Sequence, residues 1–168
     1  VGKFAVDLHN YANGIDNSPV VTESQPKSIS TEITFEKDIQ NQDVLLKILI
    51  SEIEEVSQRL RESGLYAKTI NLKIRDLNFK TITRSKTLEQ PTDLTKEFIE
   101  AGKHIFNKWY SKEAKALRLL GFGVSGLKEK TGQQQMLFNV EEQRQKNLDK
   151  TIDGIKRKFG KDSLHRGH

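Results

Sequence analysis

The sequence contains no cysteine, which removes disulfides, thiolate nucleophiles and cysteine-based metal sites from its chemistry. No apolar run approaches the roughly 18 residues that a membrane span requires, and no signal-peptide pattern opens the chain. Both absences fit a cytoplasmic protein with no membrane partner. The four histidines, His9, His104, His165 and His168, lack the spacing of metal ligands. No nucleophile–base pair, phosphate-cradling loop or metal cluster is evident, so a self-contained enzyme is the least favoured class. The chain also opens at Val1 without a methionine, on a segment that reads as the middle of something. It is expected to be an excised piece.

What is present is a chain of 168 residues, 35% hydrophobic and 30% charged, enough for one modest core in a soluble protein. The net charge of +5 and a pI near 9.3 lean toward a polyanionic partner. That signal is general, and its distribution says more.

Residues 1–13 read as a helix with Phe4, Leu8 and Tyr11 near one face, ended by Gly14 and the turn Asp16-Asn17-Ser18-Pro19. Residues 20–26 form a polar connector. From Lys27 the period changes to two: Ile29, Thr31, Ile33 and Phe35 share one face, and Ser28, Ser30, Glu32 and Thr34 the other. A long helix is predicted over 42–63, with Asn41 as N-cap, a stripe of Leu45, Leu49, Ile53, Val56 and Leu60, and Gly64 as its stop. Residues 68–75 and 79–86 read as a hairpin around Asp76-Leu77-Asn78, with Glu89-Gln90-Pro91-Thr92 breaking its second strand. Thr92 or Asp93 is expected to cap a second helix striped by Leu94, Phe98, Ala101, Ile105 and Trp109. Trp109 and Phe106 are read as core, not as base-stacking residues. A last strand covers 116–125, and Leu148, Ile152, Ile155 and Phe159 suggest a final amphipathic helix.

The fold class is therefore α+β: a two-layer βαββαβ domain, a four-stranded antiparallel sheet with two helices on one face, plus a C-terminal helical tail. The other sheet face is left bare and needs a purpose. Between residues 68 and 86 stand Lys68, Lys73, Arg75, Lys80, Arg84 and Lys86 against one acid, Asp76. Thr81, Thr83, Ser85 and Thr87 interleave with them, which joins cations for counterion release to hydroxyls for phosphate positioning. A solvated, aggregation-resistant sheet face is the plainer alternative. In the last strand Leu119, Gly121, Gly123 and Ser125 share a face, and glycines inside a strand mark either a bulge or the close approach of another backbone.

Taken together, these segments resemble the little finger domain of Y-family DNA polymerases of the DNA polymerase IV and UmuC type, the ImpB/MucB/SamB group. Lys27-Ser28-Ile29-Ser30-Thr31-Glu32 is similar to the family's opening strand, Arg84-Ser85-Lys86-Thr87-Leu88 to the second strand of its hairpin, and residues 118–127 to its closing strand. Residues 14–20 resemble the exit from the thumb domain. The resemblance divides the chain into the end of a thumb (1–20), a little finger (21–130), and a clamp-binding peptide with a C-terminal helix (131–168). It implies a monomeric piece that grips primer-template DNA in the major groove, largely independently of sequence, during damage bypass. Carried over by position, the DNA contacts fall on Ser28, Ser30, Thr83, Arg84, Ser85, Lys86, Arg118, Gly121 and Gly123, to which the basic hairpin adds Lys73, Arg75 and Lys80. Some family members carry further arginines where Leu119 and Gly123 stand, so this chain relies more on its hairpin and on glycine N–H groups. The catalytic carboxylates and their Mg²⁺ belong to a palm domain. Asp7 and Asp16 are not placed like them, so this piece is expected to hold no cofactor and to be inactive alone.

Residues 133–138, Gln-Gln-Gln-Met-Leu-Phe, resemble the bacterial sliding-clamp peptide. In that register Gln134 is the hydrogen-bonding anchor, and Met136, Leu137 and Phe138 supply the apolar contacts, the last two filling a pocket. The alternative is that these side chains fold back onto the domain's own core. Two other classes compete with the whole reading: a ferredoxin-like RNA-binding module, which stacks bases on aromatic side chains of its central strands, and an adaptor whose one function is clamp binding.

Overall fold

The computed structural model describes residues 2–19, 26–129 and 140–164. Its first helix, α1 (Ala5–Ala12), follows a 3-10 turn at Gly2–Phe4 and buries no side chain. Strand β1 (Ser28–Ile39) keeps the period of two, with Ile29 and Phe35 buried and Ile33 left exposed, and its pairing with β4 shifts register between Thr34 and Ile39. Helix α2 (Gln42–Glu62) begins where the Asn41 side chain accepts a hydrogen bond from the Val44 N–H at 3.0 Å, and Gly64, at φ 66°, lets the chain reverse. All five residues of its stripe are fully buried. Each such aliphatic side chain contributes about 1.5–3 kcal/mol of transfer free energy.

Strands β2 (Leu65–Asp76) and β3 (Thr81–Thr92) form the hairpin. The Asp76 carboxylate closes its turn by accepting from the N–H groups of Asn78 and Lys80 at 2.9 and 3.0 Å. The expected break at residues 89–92 does not occur: β3 continues through Pro91 to Thr92. A register shift between Thr69↔Thr87 and Ala67↔Thr92 absorbs the extra residues, and an edge strand tolerates a proline without losing a ladder bond. Helix α3 (Thr95–Glu113), strand β4 (Leu117–Ser125), a two-residue strand β5 (Lys128–Glu129) and helix α4 (Val140–Phe159) complete the described chain.

The sheet runs in the order β1-β4-β2-β3, all neighbours antiparallel, with β5 beside the start of β2. This is the two-layer α+β domain read from the sequence, with β5 as an addition. Ile29, Ile70, Leu72, Ile74, Leu120, Phe122 and Val124 meet the α2 and α3 stripes in one core, which also holds Phe106 and Trp109. A ferredoxin-like module places its first and third strands centrally; here they are the two edges. Where β2 and β4 pair, from Thr69 to Arg75 and from Leu119 to Ser125, their outward positions also carry no aromatic ring.

One helix expectation is corrected. The N-cap position of α3 is Leu94, which offers no side-chain cap. The Thr95 N–H is instead met at 3.0 Å by Asp149 of α4, a buried carboxylate. Helix α4 leaves Leu148 and Phe159 of its apolar stripe exposed and half-buries Ile152 and Ile155. It docks by charge. Arg61 of α2 donates to both carboxylate oxygens of Asp153, at 2.7 and 2.8 Å, and to the Asp93 carbonyl and Thr95 hydroxyl. Lys156 meets Glu54 at 2.6 Å, both nearly buried. Burial works against the charge on Arg61, but the Asp153 bond and the nearby Asp149 and Asp93 charges together raise its pKa above the ordinary value.

Candidate nucleic-acid interface

Alternation decides which hairpin residues stand where. On β2, Thr69, Asn71, Lys73 and Arg75 point away from the helices, and on β3 Thr81, Thr83, Ser85 and Thr87 do so as their cross-strand partners. On β4 the same face carries Leu119, Gly121, Gly123 and Ser125, and on β1 Ser28, Ser30, Glu32 and Thr34. These side chains form cross-strand pairs. Ser85 donates to Asn71 at 2.7 Å, Asn71 donates to Ser125 at 3.1 Å, and Arg75 donates to Thr81 at 2.7 Å. Lys73 pairs with Glu32 at 2.7 Å, both half exposed. The face is thus a field of hydroxyls and amides, exposed along both edges, with cations at Lys73 and Arg75 and one acid at Glu32.

It is less cationic than the sequence count suggested. Arg84 and Lys86 have the opposite parity on β3, Lys80 lies just before that strand, and all three line cavities on the helix side, beside Trp109 and Glu113 or His104. Arg118 sits at a register shift of β4 at one end of the sheet, donates to Asp38 at 3.1 Å, and lies 4.5 Å from the centre of the Phe79 ring. The structure therefore brings Ser28, Ser30, Lys73, Arg75, Thr83, Ser85, Gly121 and Gly123 onto one face, and leaves Lys80, Arg84, Lys86 and Arg118 off it. Gln134, Met136, Leu137 and Phe138 lie outside the described residues.

The two strand glycines have a local cause. A Cβ on Gly121 stands 2.8 Å from the Glu32 Cβ and 3.1 Å from the Thr31 carbonyl oxygen. One on Gly123 stands 2.8 Å from the Ser30 Cβ and 3.3 Å from the Ile29 oxygen. The register runs unbroken from Ser28↔Ser125 to Thr34↔Leu119, so no bulge lies here. The backbone that approaches these glycines is β1.

Two half-buried carboxyls stand on the helix layer. Burial is the main cause that raises the Glu52 pKa, against a hydrogen bond with Thr31, and burial likewise raises Glu97. Among the described residues no group of three or more His, Asp or Glu stands close enough to hold a metal ion. No helix among them is long and apolar enough to cross a membrane.

Known proteins share this sequence and this sheet. The impB/mucB/samB family C-terminal domain matches residues 26–137. A DNA polymerase IV of Dehalococcoides mccartyi is 35% identical over 167 residues, covering 99% of this chain and 42% of that protein. The DNA polymerase IV of Clostridium acetobutylicum is 34% identical over 158 residues, covering 93% of this chain and 39% of that protein. The chain thus spans about two fifths of the length of the curated relatives it matches. Among solved structures, a Dbh–Dpo4 Y-family DNA polymerase chimera superposes with a TM-score of 0.56 at 14% identity, over 74% of this chain and 35% of that one. The little finger domain of PolIV, solved in complex with a beta-clamp processivity factor, superposes with a TM-score of 0.50 at 18% identity, over 66% of this chain and 98% of that one. At such identities a superposition speaks to fold alone. The chain belongs to the impB/mucB/samB family C-terminal domain, and its fold is that of the little finger domain of Y-family DNA polymerases.

Proposed function

We propose that this domain holds primer-template DNA by laying its open sheet face along the phosphate backbones, within a polymerase that copies past damaged bases. The observation that carries the reading is the Ser/Thr/Asn field with Lys73 and Arg75 at its centre, left uncovered on a sheet whose other face is packed. Hydroxyl and amide donors position phosphates, and two cations release counterions, while nothing on the face is shaped to read base edges. Binding is then tolerant of sequence and weakened by salt. The polymerase reaction itself would belong to a palm domain with its Mg²⁺, and this domain would serve it by holding the substrate. The solved complex of a PolIV little finger with a beta-clamp supports a second part of the reading, that Gln134, Met136, Leu137 and Phe138 attach this chain to a sliding clamp.

Fluorescence anisotropy with primer-template DNA, set against single-stranded RNA of matched length, tests the first part. Lys73→Ala/Arg75→Ala should flatten the salt slope by about 1.8, from about 0.9 per phosphate on duplex DNA. An unchanged slope, or preference for the RNA, rules out the open face as the contact surface. For the clamp, capture of this chain on immobilised sliding clamp should be lost in Leu137→Ala/Phe138→Ala; capture that survives discards the register.

A further inference from the structure

Beyond the open face lies a second charged surface that the duplex reading does not use. Between the edge strand β3 and helix α3, on the helix side of the sheet, a cleft encloses about 380 Å³, within the size range of ligand sites. One wall carries Arg84 and Lys86, two residues apart on β3 and so about 7 Å apart along it. The other carries His104, Lys108 and Lys112, four residues apart on α3 and so pitched at about 6 Å. Between the rows lie Ile105 and Trp109, which close the cleft from the core side.

Among the described residues no acid neutralises the four basic side chains Arg84, Lys86, Lys108 and Lys112. The one acid lining the cleft, Glu113, is held by Lys115 at 2.7 Å. Among the described residues Lys86, Lys108 and Lys112 join no ion pair, and Arg84 donates to the Thr83 carbonyl at 3.3 Å and to no carboxylate. The charge has a direction too. Past Lys86 and His104 the surface turns acidic with Glu89, Glu97 and Glu100, whereas past Arg84 it continues with Lys80 and Lys115, beside Asp76. Gathering like charges around an apolar floor is unfavourable until an anion arrives. Two rows of similar pitch call for an anion that repeats along its length.

We propose that this cleft binds a single strand of DNA, namely the unpaired extension of the duplex held on the open face. The proposal rests on the duplex reading and adds a site to it. Residues of β3 alternate between the two surfaces: Thr83 and Ser85 face the duplex, and Arg84 and Lys86 face the cleft. A strand leaving the duplex thus crosses one edge strand to enter it. The cleft is too narrow for a double helix, and its phosphates would lie between the cationic rows with sugars and bases toward Ile105 and Trp109.

The test compares a blunt duplex with the same duplex bearing a single-stranded oligothymidine extension, using the whole chain and anisotropy over a range of salt. The extension should tighten binding. Lys108→Ala/Lys112→Ala, at two exposed α3 positions away from the open face, should abolish that advantage. For the extended substrate the salt slope should fall by about 1.4, at about 0.7 per phosphate of a single strand, with the blunt duplex unaffected. Each single variant should show about half the change, and a melting curve for each separates lost binding from lost fold. Equal affinity for blunt and extended duplex in the wild type overturns the inference, as does an advantage that survives the double variant. Displacement of the extension by polyglutamate at equal charge overturns it in favour of an acidic polypeptide. If the blunt duplex binds and the extension adds nothing, this inference alone falls; if the extension binds and the blunt duplex does not, the open-face reading falls instead.

Discussion

Gly121→Ala places a methyl group where β1 comes closest to β4. Its new carbon would stand 2.8 Å from the Glu32 Cβ and 3.1 Å from the Thr31 carbonyl oxygen. Neither obstacle is the tip of a flexible side chain, so relief requires the two strands to part. Overpacking of this kind costs about 1–3 kcal/mol. In a domain of this size each kcal/mol lowers Tm by about 2–4 °C, so the expected fall is about 2–12 °C. Gly123→Ala meets the Ser30 Cβ at 2.8 Å and should behave alike. The double variant should cost less than the sum, because one separation of β1 from β4 relieves both contacts. Thermal unfolding followed by circular dichroism gives the stability, and anisotropy with duplex DNA on the same samples, well below the transition, gives the binding. An unchanged Tm accompanied by lost DNA binding would refute the reasoning, since it would mean that the glycines leave room for a ligand and not for β1.

The remaining expectations concern the helix layer. Arg61→Ala leaves Asp149 and Asp153 without their shared cation, and breaking a buried pair from one side costs about 3–5 kcal/mol. The urea unfolding midpoint should fall accordingly, and a midpoint equal to wild type would show that α4 is held by something else. Glu52 has a raised folded-state pKa because burial penalises its charge, and one carboxylate oxygen, Oε2, is buried without a hydrogen-bond partner. A group raised in this way favours the fold below its unfolded value near 4.5, and that contribution is lost as pH rises through the folded value. Glu52→Gln should therefore be more stable than wild type at neutral pH, with the gain shrinking toward pH 4.5 and below; a gain that is constant with pH would contradict burial of the charge as its cause.

How much of this was legible depended on the range of the interactions involved. Helix α2 was readable end to end, because its cap at Asn41, its stripe and its stop at Gly64 all lie within the segment they govern. The inward and outward sets on β1, β2 and β4 were equally plain, since a period of two fixes them. Pro91 misled because a proline stops a central strand but not an edge strand, and edge position is a property of the whole sheet. The cap of α3 was invisible for a similar reason: its acceptor, Asp149, comes from α4. The apolar pattern of α4 could not reveal its anchors, which are Asp149, Asp153 and Lys156 against Thr95, Arg61 and Glu54. The count of basic residues in the hairpin was correct, but a count carries no parity. Ile82 in β3 showed the parity of Arg84 and Lys86, and following it through would have moved both cations to the helix side.

The strand order also has a consequence for biosynthesis. Strand β1 pairs with β4 and with no other described strand, so Ser28 must wait until Ser125 has been made before its ladder can close. On the ribosome α2 and the β2–β3 hairpin can assemble before β4 exists, while β1, held only by its packing on α2, lacks its ladder partner for most of the domain's synthesis. Insertion of β4 between two strands already made is then the step that completes the sheet. A slow or paused translation of residues 117–125 would prolong an intermediate with a loose, sticky first strand.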